Sequence, residues 1–138
     1  MIYVYNRKIE SHKGPNNFRV YRPFILGNLW THIKDKKTKA MYVVSTREEA
    51  IRRYDKYFDM MYRSNLDFKD VVDEMYEKYK NGEDIYLECY CKKYLSNDTT
   101  PHDDEVGCHG DIIKKKLEQR LIKEKIKNLA ENGDTKTT

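Results

Sequence analysis

The chain is poor in the residues that break or cross-link a polypeptide. Its 138 residues include six glycines, three prolines and three cysteines, which excludes a collagen-like or low-complexity composition. An odd number of cysteines and an N-terminus without a signal-peptide layout argue against a secreted disulfide framework. No stretch approaches the ~20 apolar residues of a membrane-spanning helix. We therefore expect a cytoplasmic protein with no membrane partner.

Charge is plentiful but nearly balanced, with 27 basic and 23 acidic residues and a formal net charge of +4. This balance permits an anionic partner without demanding one, because the two signs are interleaved. The lysine-rich segment Lys114 to Lys127 is the place where nucleic acid would bind, if it binds at all. The length fits one domain, which we place at residues 1–131, followed by a disordered tail at 132–138.

Hydrophobic periodicity predicts alternating strands and helices. Ile85 to Cys91 alternates as a half-buried strand does, and Ile2 to Tyr5 is a short β-rich run. Thr46 and Glu49 form a capping-box pattern at the start of a first helix, and Gly82 is the natural stop of a second one. Further expected elements are extended pieces at 18–21 and 40–44 and a last helix after Cys108. The fold class is therefore α/β, with a small mixed or parallel sheet flanked by about three helices.

A candidate pocket follows from this topology. If the first and last strands are parallel neighbours, Asn6, Arg7 and Cys91 lie at the same edge of the sheet. The loop containing Arg22, Gly27 and Asn28 and the motif Cys108-His109-Gly110-Asp111 can converge on that edge. Ligands of open α/β sheets bind beyond the carboxyl ends of the strands.

The motif Cys108-His109-Gly110-Asp111 stands at the mouth of the last helix. Unpaired amides and the helix dipole attract anions there and lower the pKa of a cysteine. Cys108 is thus a candidate nucleophile, His109 a candidate general base and Asp111 a third catalytic candidate. The alternative is structural, with Asp111 capping the helix and Cys108 packing as a small apolar residue.

The remaining candidates are ligand-binding residues. Arg7 and Arg22 would neutralise a phosphate, and Asn28 would orient it. Gly110 would let the backbone approach the ligand, and Asn6 and Gly27 would complete the wall. The predicted ligand is an anionic, nucleotide-like small molecule.

A zinc site is a competing interpretation of the same residues. Cys89, Cys91, Cys108 and His109 form a Cys3His set, which is a known tetrahedral zinc complement. The Cys-x-Cys spacing and the adjacent Cys-His pair differ from the usual Cys-x2-Cys knuckle. Zinc is therefore a possible cofactor, and a zinc-stabilised nucleic-acid-binding module is the alternative function.

The ordered motifs resemble a known family. They are Asn6-Arg7, Arg22-Pro23 with Leu26-Gly27-Asn28, the segment from Ser45 to Ile51 leading to Tyr54, Cys89-Tyr90-Cys91 and Cys108-His109-Gly110-Asp111. From about Tyr3 to Leu121 they resemble the domain of unknown function 4326 family, whose members occur in bacteria and phages. The resemblance implies a small Rossmann-like domain akin to nucleotide-sensing modules.

The family has no agreed activity, so the resemblance leaves open whether the chain is an enzyme. A composition rich in Lys, Asn and Tyr suits an AT-rich genome and a phage origin, which would place the protein in the host cytoplasm. Such a protein would sequester or process a host signalling nucleotide. The enzymatic alternative is nucleoside or nucleic-acid modification through Cys108 and His109.

Overall fold

The computed structural model of the chain describes residues 1–33, 40–101 and 107–136, with only the backbone described beyond residue 131. Its strands are β1 (Ile2–Asn6), β2 (Asn17–Arg19), β3 (Trp30–Thr31), β4 (Tyr42–Val43) and β5 (Ile85–Cys89). Its helices are α1 (Arg47–Ser64), α2 (Leu66–Lys80) and α3 (His109–Lys136). The α/β fold class is confirmed. The side chains of the predicted tail, residues 132–138, lie outside the described part of the chain. The described backbone of residues 132–136 continues α3, and the disorder of the tail stays a prediction.

The main sheet has three strands in the order β1-β5-β2, and all of them run parallel. Asn6 lies opposite Cys89 in the β1–β5 ladder, and Arg19 lies opposite Glu88 in the β2–β5 ladder. The predicted parallel pairing of the first and last strands is thus confirmed. A second, two-stranded parallel sheet joins β3 to β4, and β3 was not predicted from the sequence.

One face of the main sheet carries the core. The alternation in β5 buries Ile85, Leu87 and Cys89 on that face, as period-2 geometry requires. These side chains pack with Tyr54 and Phe58 of α1 and with apolar residues of the other two helices. The apolar residues of the other two helices in this core are Phe68, Val72, Met75 and Tyr76 of α2, and Ile113 and Leu117 of α3. All three helices therefore meet the sheet through one hydrophobic cluster.

The helix ends follow from local sequence. Thr46 is the N-cap of α1, and its hydroxyl accepts a hydrogen bond from the Glu49 amide at 3.1 Å. The carboxylate of Glu49 pairs with Ser45 and Arg53, so only the first half of the predicted capping box forms. Gly82 has φ of +87°, and its amide donates to the Tyr79 carbonyl, which ends α2 where the sequence predicted.

Strand β5 ends at Cys89, two residues earlier than expected. The amide of Arg7 donates to the Cys89 carbonyl at 3.0 Å, and the ladder then stops. Beyond this point the Asn6 side chain donates to the carbonyls of Tyr90 (3.1 Å) and Lys92 (2.9 Å). These two hydrogen bonds hold the chain where it leaves the sheet, and Cys91 lies between the two bonded carbonyls, at the edge of the sheet. None of the helices in the described part of the chain has the length and apolar content needed to span a membrane.

The start of α3 packs tightly on β1 at Gly110. A Cβ atom built on Gly110 lies 2.8 Å from Val4 Cγ1 and 3.2 Å from Cys108 Sγ, and both side chains belong to the core. We therefore expect Gly110→Ala to lower the free energy of unfolding by about 1–2 kcal/mol, because overpacking outweighs the gain in helix propensity. Urea denaturation measures the change.

Gly107→Ala is the matched control, since among the described residues its added Cβ meets only Asp111 Oδ2, at an ordinary 3.5 Å. It should leave the denaturation midpoint nearly unchanged. Equal effects of the two substitutions would contradict the close packing of Gly110 against β1.

Candidate functional site

A cleft of about 710 Å³ lies at the carboxyl edge of the main sheet. Residues that follow all three parallel strands line it, as expected for an open α/β sheet. Additional walls come from the first turn of α1, the start of α3 and the segment around β3. The predicted site residues that line it are Arg7, Arg22, Asn28, Cys91, Cys108 and His109.

Arg22 is the most enclosed basic residue of the cleft. Its Nη1 donates to the carbonyls of Asn28 at 3.1 Å and Trp30 at 3.4 Å. Burial lowers the pKa of Arg22 from its usual value, while the negative charge of Cys91 raises it. Among the described residues, no carboxylate lies within salt-bridge distance of Arg22. Its charge is therefore available to an anion in the cleft.

Arg7 stands at the aromatic side of the cleft. Its guanidinium lies 5.3 Å from the ring centre of Tyr21 and 5.5 Å from that of Tyr90, within cation–π range. Its Nη1 also donates to the Tyr21 hydroxyl at 2.5 Å, and a distant contact of 4.0 Å links it to Glu88. The aromatic pair holds the guanidinium without neutralising it.

Arg47 is a third cationic wall residue, and the sequence reasoning missed it. It is the first residue of α1, directly after the N-cap Thr46, and its Nε donates to the Gly107 carbonyl at 2.9 Å. That hydrogen bond joins the start of α1 to the segment preceding α3. The sequence signal that could have identified Arg47 was its position at the predicted start of α1, because helix starts that follow a strand lie at the edge of the sheet.

Contacts within the loop from Arg22 to Asn28 determine its conformation. The Arg22–Pro23 peptide bond is cis, and the Gly27 amide donates to the Phe24 carbonyl at 2.8 Å. A Cβ on Gly27 would stand 3.0 Å from backbone atoms of Arg22 and Phe24, so the turn needs a glycine. Gly27 is thus a structural residue of the wall and does not line the cleft.

The two predicted asparagines have internal partners. Asn28 donates to the Ala50 carbonyl at 3.2 Å and accepts from the Trp30 amide at 3.0 Å. The side chain of Asn6 donates to the carbonyls of Tyr90 and Lys92 beyond β5, and it accepts a hydrogen bond from the Lys8 amide. Both residues position the edge of the cleft, and of the two only Asn28 lines it.

The three cysteines converge behind the cleft. Cys89 and Cys108 are fully buried, and their sulfur atoms are 3.6 Å apart. Cys91 is partly exposed and lines the cleft together with an edge of Cys108. The predicted convergence of the two cysteine motifs is therefore confirmed by their geometry.

The three cysteine thiols differ in pKa. Hydrogen bonds from the thiols of Cys108 and Cys89 lower the pKa of Cys91, and the charge of Arg47 adds to the effect, while burial opposes it. The pKa of Cys108 is raised by the hydrogen bonds with Cys89 and Cys91 and by burial. Among the three thiols, Cys91 is thus the one whose pKa is lowered, whereas the sequence pointed to Cys108.

The rest of the Cys108-His109-Gly110-Asp111 motif has internal partners. Asp111 Oδ2 accepts from the Cys108 amide at 2.9 Å, and Asp111 Oδ1 pairs with Lys92 at 2.9 Å. The Gly110 amide is directed at Cys108 Sγ at 3.3 Å, and the Asp111 amide donates to the Cys108 carbonyl. These amides are therefore occupied, so an anion in the cleft depends on the arginines.

His109 is buried at the start of α3. Its Nε2 donates a short hydrogen bond to the Val20 carbonyl, and its ring meets Tyr54 edge-on at 5.0 Å. Burial lowers the pKa of His109, so the imidazole is neutral with its proton on Nε2. The catalytic roles predicted for His109, Cys108 and Asp111 stay predictions.

Within residues 1–33, 40–101 and 107–131, no group of three or more His, Cys, Asp or Glu side chains is arranged to hold a metal ion. A hydrogen bond joins Nε2 of His109 to the Val20 carbonyl, so only Nδ1 would be left to bind a metal as part of the predicted Cys3His set. The zinc alternative gains no support from the geometry and stays a prediction.

Comparison with protein families identifies the family of the chain. Residues 4–119 match the family described as Domain of unknown function (DUF4326), so the chain belongs to that family. Comparison with curated proteins and with solved structures found no significant match. The family boundary falls within α3, and the elements that form the cleft lie inside the matched region.

Thiol labelling tests whether Cys91 is the cysteine with the lowered pKa. With limiting iodoacetamide at neutral pH, we expect Cys91 to take most of the label and Cys89 and Cys108 to react only in denaturant. The rate at Cys91 should change little between pH 8 and 6, because its pKa is lowered, whereas an ordinary thiol slows about tenfold per unit. Peptide mapping locates the label, and preferential labelling of Cys108 in the native protein would contradict this assignment.

Elemental analysis tests the zinc alternative. Full-length protein purified without chelator should carry one zinc per chain if Cys89, Cys91, Cys108 and His109 hold the ion, and removal of that zinc should lower the unfolding temperature. Substoichiometric zinc, with unchanged stability after chelator treatment, would exclude it.

Proposed function

We propose that this protein binds an anionic, nucleotide-like small molecule in the cleft at the carboxyl edge of its sheet. The observation that carries this proposal is the charge of the cleft wall. Three arginines, Arg7, Arg22 and Arg47, line it, and none of the described lining residues is acidic. Lys8 and His32 add further nitrogen donors to the same wall.

Phosphate is the anion that such a wall suits best. A guanidinium group presents parallel N–H donors that match the oxygen atoms of a phosphate. The cost of burying Arg22 beside backbone carbonyls is offset when a doubly charged group enters the cleft. Arg47 reaches the same space from α1, so a phosphate can be held from two sides.

Aromatic side chains support the nucleobase part of the proposal. Trp30 lines the cleft, and its indole stacks on Tyr42 with ring centres 5.6 Å apart and meets Tyr57 edge-on at 5.4 Å. A ring held in this way is a rigid stacking surface for a base. Tyr21 and Tyr90 provide further aromatic surface beside Arg7.

The size of the cleft agrees with this ligand class. Small-molecule sites usually occupy ~300–1,000 Å³, and the cleft measures about 710 Å³. That volume accommodates a mononucleotide or a dinucleotide. A duplex nucleic acid needs an extended basic surface, which the interleaved charges of this chain do not favour.

The biological role follows from the family resemblance together with the cleft. In a phage-infected cell, a cytoplasmic protein of this kind would sequester a host signalling nucleotide, or process it if the cleft is catalytic. Cys91 is the better-placed nucleophile for such processing, because its pKa is lowered and it lines the cleft. Binding alone is the minimal form of the proposal.

Calorimetry or fluorescence titration against a nucleotide panel tests it. The panel contains nucleoside mono-, di- and triphosphates, a cyclic dinucleotide, adenosine and inorganic phosphate. We expect at least one phosphorylated nucleotide to bind, to quench Trp30 emission and to lose affinity as salt rises. Arg47→Gln should weaken binding about tenfold or more through the loss of a charge-assisted contact.

Arg52→Gln is the matched control. It removes the same charge from the same helix, but Arg52 is exposed and does not line the cleft. Its affinity should equal that of the wild type. The proposal fails if no nucleotide binds, or if Arg47→Gln and Arg7→Gln bind as the wild type does while remaining folded.

A further inference from the structure

The face of the main sheet opposite the helices carries aromatic and charged side chains. All three described helices pack against the face that carries Leu87 of β5. Because side chains alternate along a strand, Glu88 belongs to the opposite face. The parallel register places Tyr5 of β1 and Arg19 of β2 beside Glu88. The cleft adjoins this second face at its carboxyl end.

Three aromatic rings form a row at that end of the second face. The ring centre of Tyr21 lies 4.8 Å from that of Tyr90 and 5.1 Å from that of Phe24, and both contacts are edge-on. Tyr90 is 44% exposed and Phe24 is 39% exposed, so both ends of the row are accessible to solvent. Neighbouring exposed rings, unlike a single one, are typical of a surface that binds another molecule.

Each ring of the row has a cation over it. The guanidinium of Arg19 lies 5.5 Å from the ring centre of Phe24, and the ammonium of Lys8 lies 5.7 Å from that of Tyr90. Arg7 lies over both Tyr21 and Tyr90, as described for the cleft. These six residues form the cationic–aromatic row: Arg7, Lys8, Arg19, Tyr21, Phe24 and Tyr90.

One carboxylate, that of Glu88, lies beneath the row. Its Oε2 is 4.0 Å from Nη1 of Arg7 and 3.8 Å from Nε of Arg19, and it has no hydrogen-bond partner among the described residues. The side chain of Glu88 is 12% exposed, whereas those of Arg7 and Arg19 are 43% and 59% exposed. The carboxylate therefore supports the two guanidinium groups from the buried side, and their exposed N–H groups remain accessible to an anion.

A row of rings and cations suits a single-stranded nucleic acid. Unpaired bases stack on aromatic rings and on guanidinium planes, while the cations neutralise the phosphates that join the bases. A duplex presents only the edges of its bases in the grooves, so it cannot use the exposed rings in this way. An acidic peptide matches the cations but offers no bases to the rings.

The cationic–aromatic row is continuous with the cleft. Tyr21 and Tyr90 line the cleft as well, whereas Arg19 and Phe24 lie outside its wall. We propose that the cleft holds one nucleotide of a short single-stranded oligonucleotide, and that the adjoining nucleotides lie along the row as far as Phe24. This inference rests on the proposed function, because the cleft must itself accept a nucleotide. It extends the ligand class from a free nucleotide to an oligonucleotide.

Titration of the full-length chain with adenylates of increasing length tests the inference. The probes are the mononucleotide, the dinucleotide and the hexanucleotide, each in the RNA and the DNA form. We expect the hexanucleotide to bind at least about tenfold more tightly than the mononucleotide in one or both forms, because further bases stack and further phosphates are neutralised. The affinity for the hexanucleotide should also fall more steeply with salt.

Phe24→Leu and Arg19→Gln are the test variants, since neither residue lines the cleft. Each should weaken hexanucleotide binding by a factor of about five or more, because a stacking surface or a phosphate contact is lost, and should leave mononucleotide binding unchanged. Phe24→Leu keeps an apolar side chain at the position and removes only the ring. Arg52→Gln, on the exposed side of α1, is the control for the loss of one positive charge and should bind both probes as the wild type does.

The outcomes separate this inference from the nucleotide-binding cleft. Equal affinity for the mononucleotide and the hexanucleotide, or a hexanucleotide affinity that neither Phe24→Leu nor Arg19→Gln lowers, overturns the inference and leaves the cleft proposal standing. Binding of a hexaglutamate peptide as tight as that of the hexanucleotide overturns it too, because charge alone would then explain the affinity. Absence of binding by every nucleotide probe overturns both proposals.

Discussion

Parallel pairing of β1 with β5 is the constraint on which the rest of the structure depends. The 78 residues from 7 to 84 separate the two strands along the chain, and their register places Asn6 opposite Cys89. This pairing brings the chain beyond β1 and the chain beyond β5 to one edge. The Asn6 side chain then bonds the carbonyls after β5 and directs Cys91 towards the cleft. Without this register, Arg7 after β1 and the cysteines of the β5 segment would not lie at the same site.

The described wall of the cleft carries positive charge and no carboxylate. Of the nearby acidic residues, Glu88 lies beside Arg7 and Arg19, and Asp111 lies beside Lys92. Arg22 is half-buried, and burial lowers its pKa, whereas a negative charge on Cys91 opposes that effect.

Local sequence patterns predicted most of the elements and the edge where the site lies. The alternation of Ile85 to Cys89, the cap at Thr46 and the stop at Gly82 all depend on neighbours within a few residues, and each is found in the structure. The β3 strand was missed because two residues are too few to show a period. Arg47 was missed because a helix-start arginine resembles any solvent-exposed charge until α3 is placed beside it.

The sequence by itself determined the α/β class, and it left the parallel pairing of the first and last strands and the meeting of the cysteine motifs as a condition. Only the tertiary structure supplied that pairing and decided which groups are free to act. It turned the Gly110 amide onto Cys108, His109 onto Val20 and Asp111 onto Lys92, and it lowered the pKa of Cys91. The physical reason is that hydrogen-bond partners and desolvation at the site come from residues distant in the chain. A motif shows which groups are present, whereas their charge and exposure depend on what packs against them.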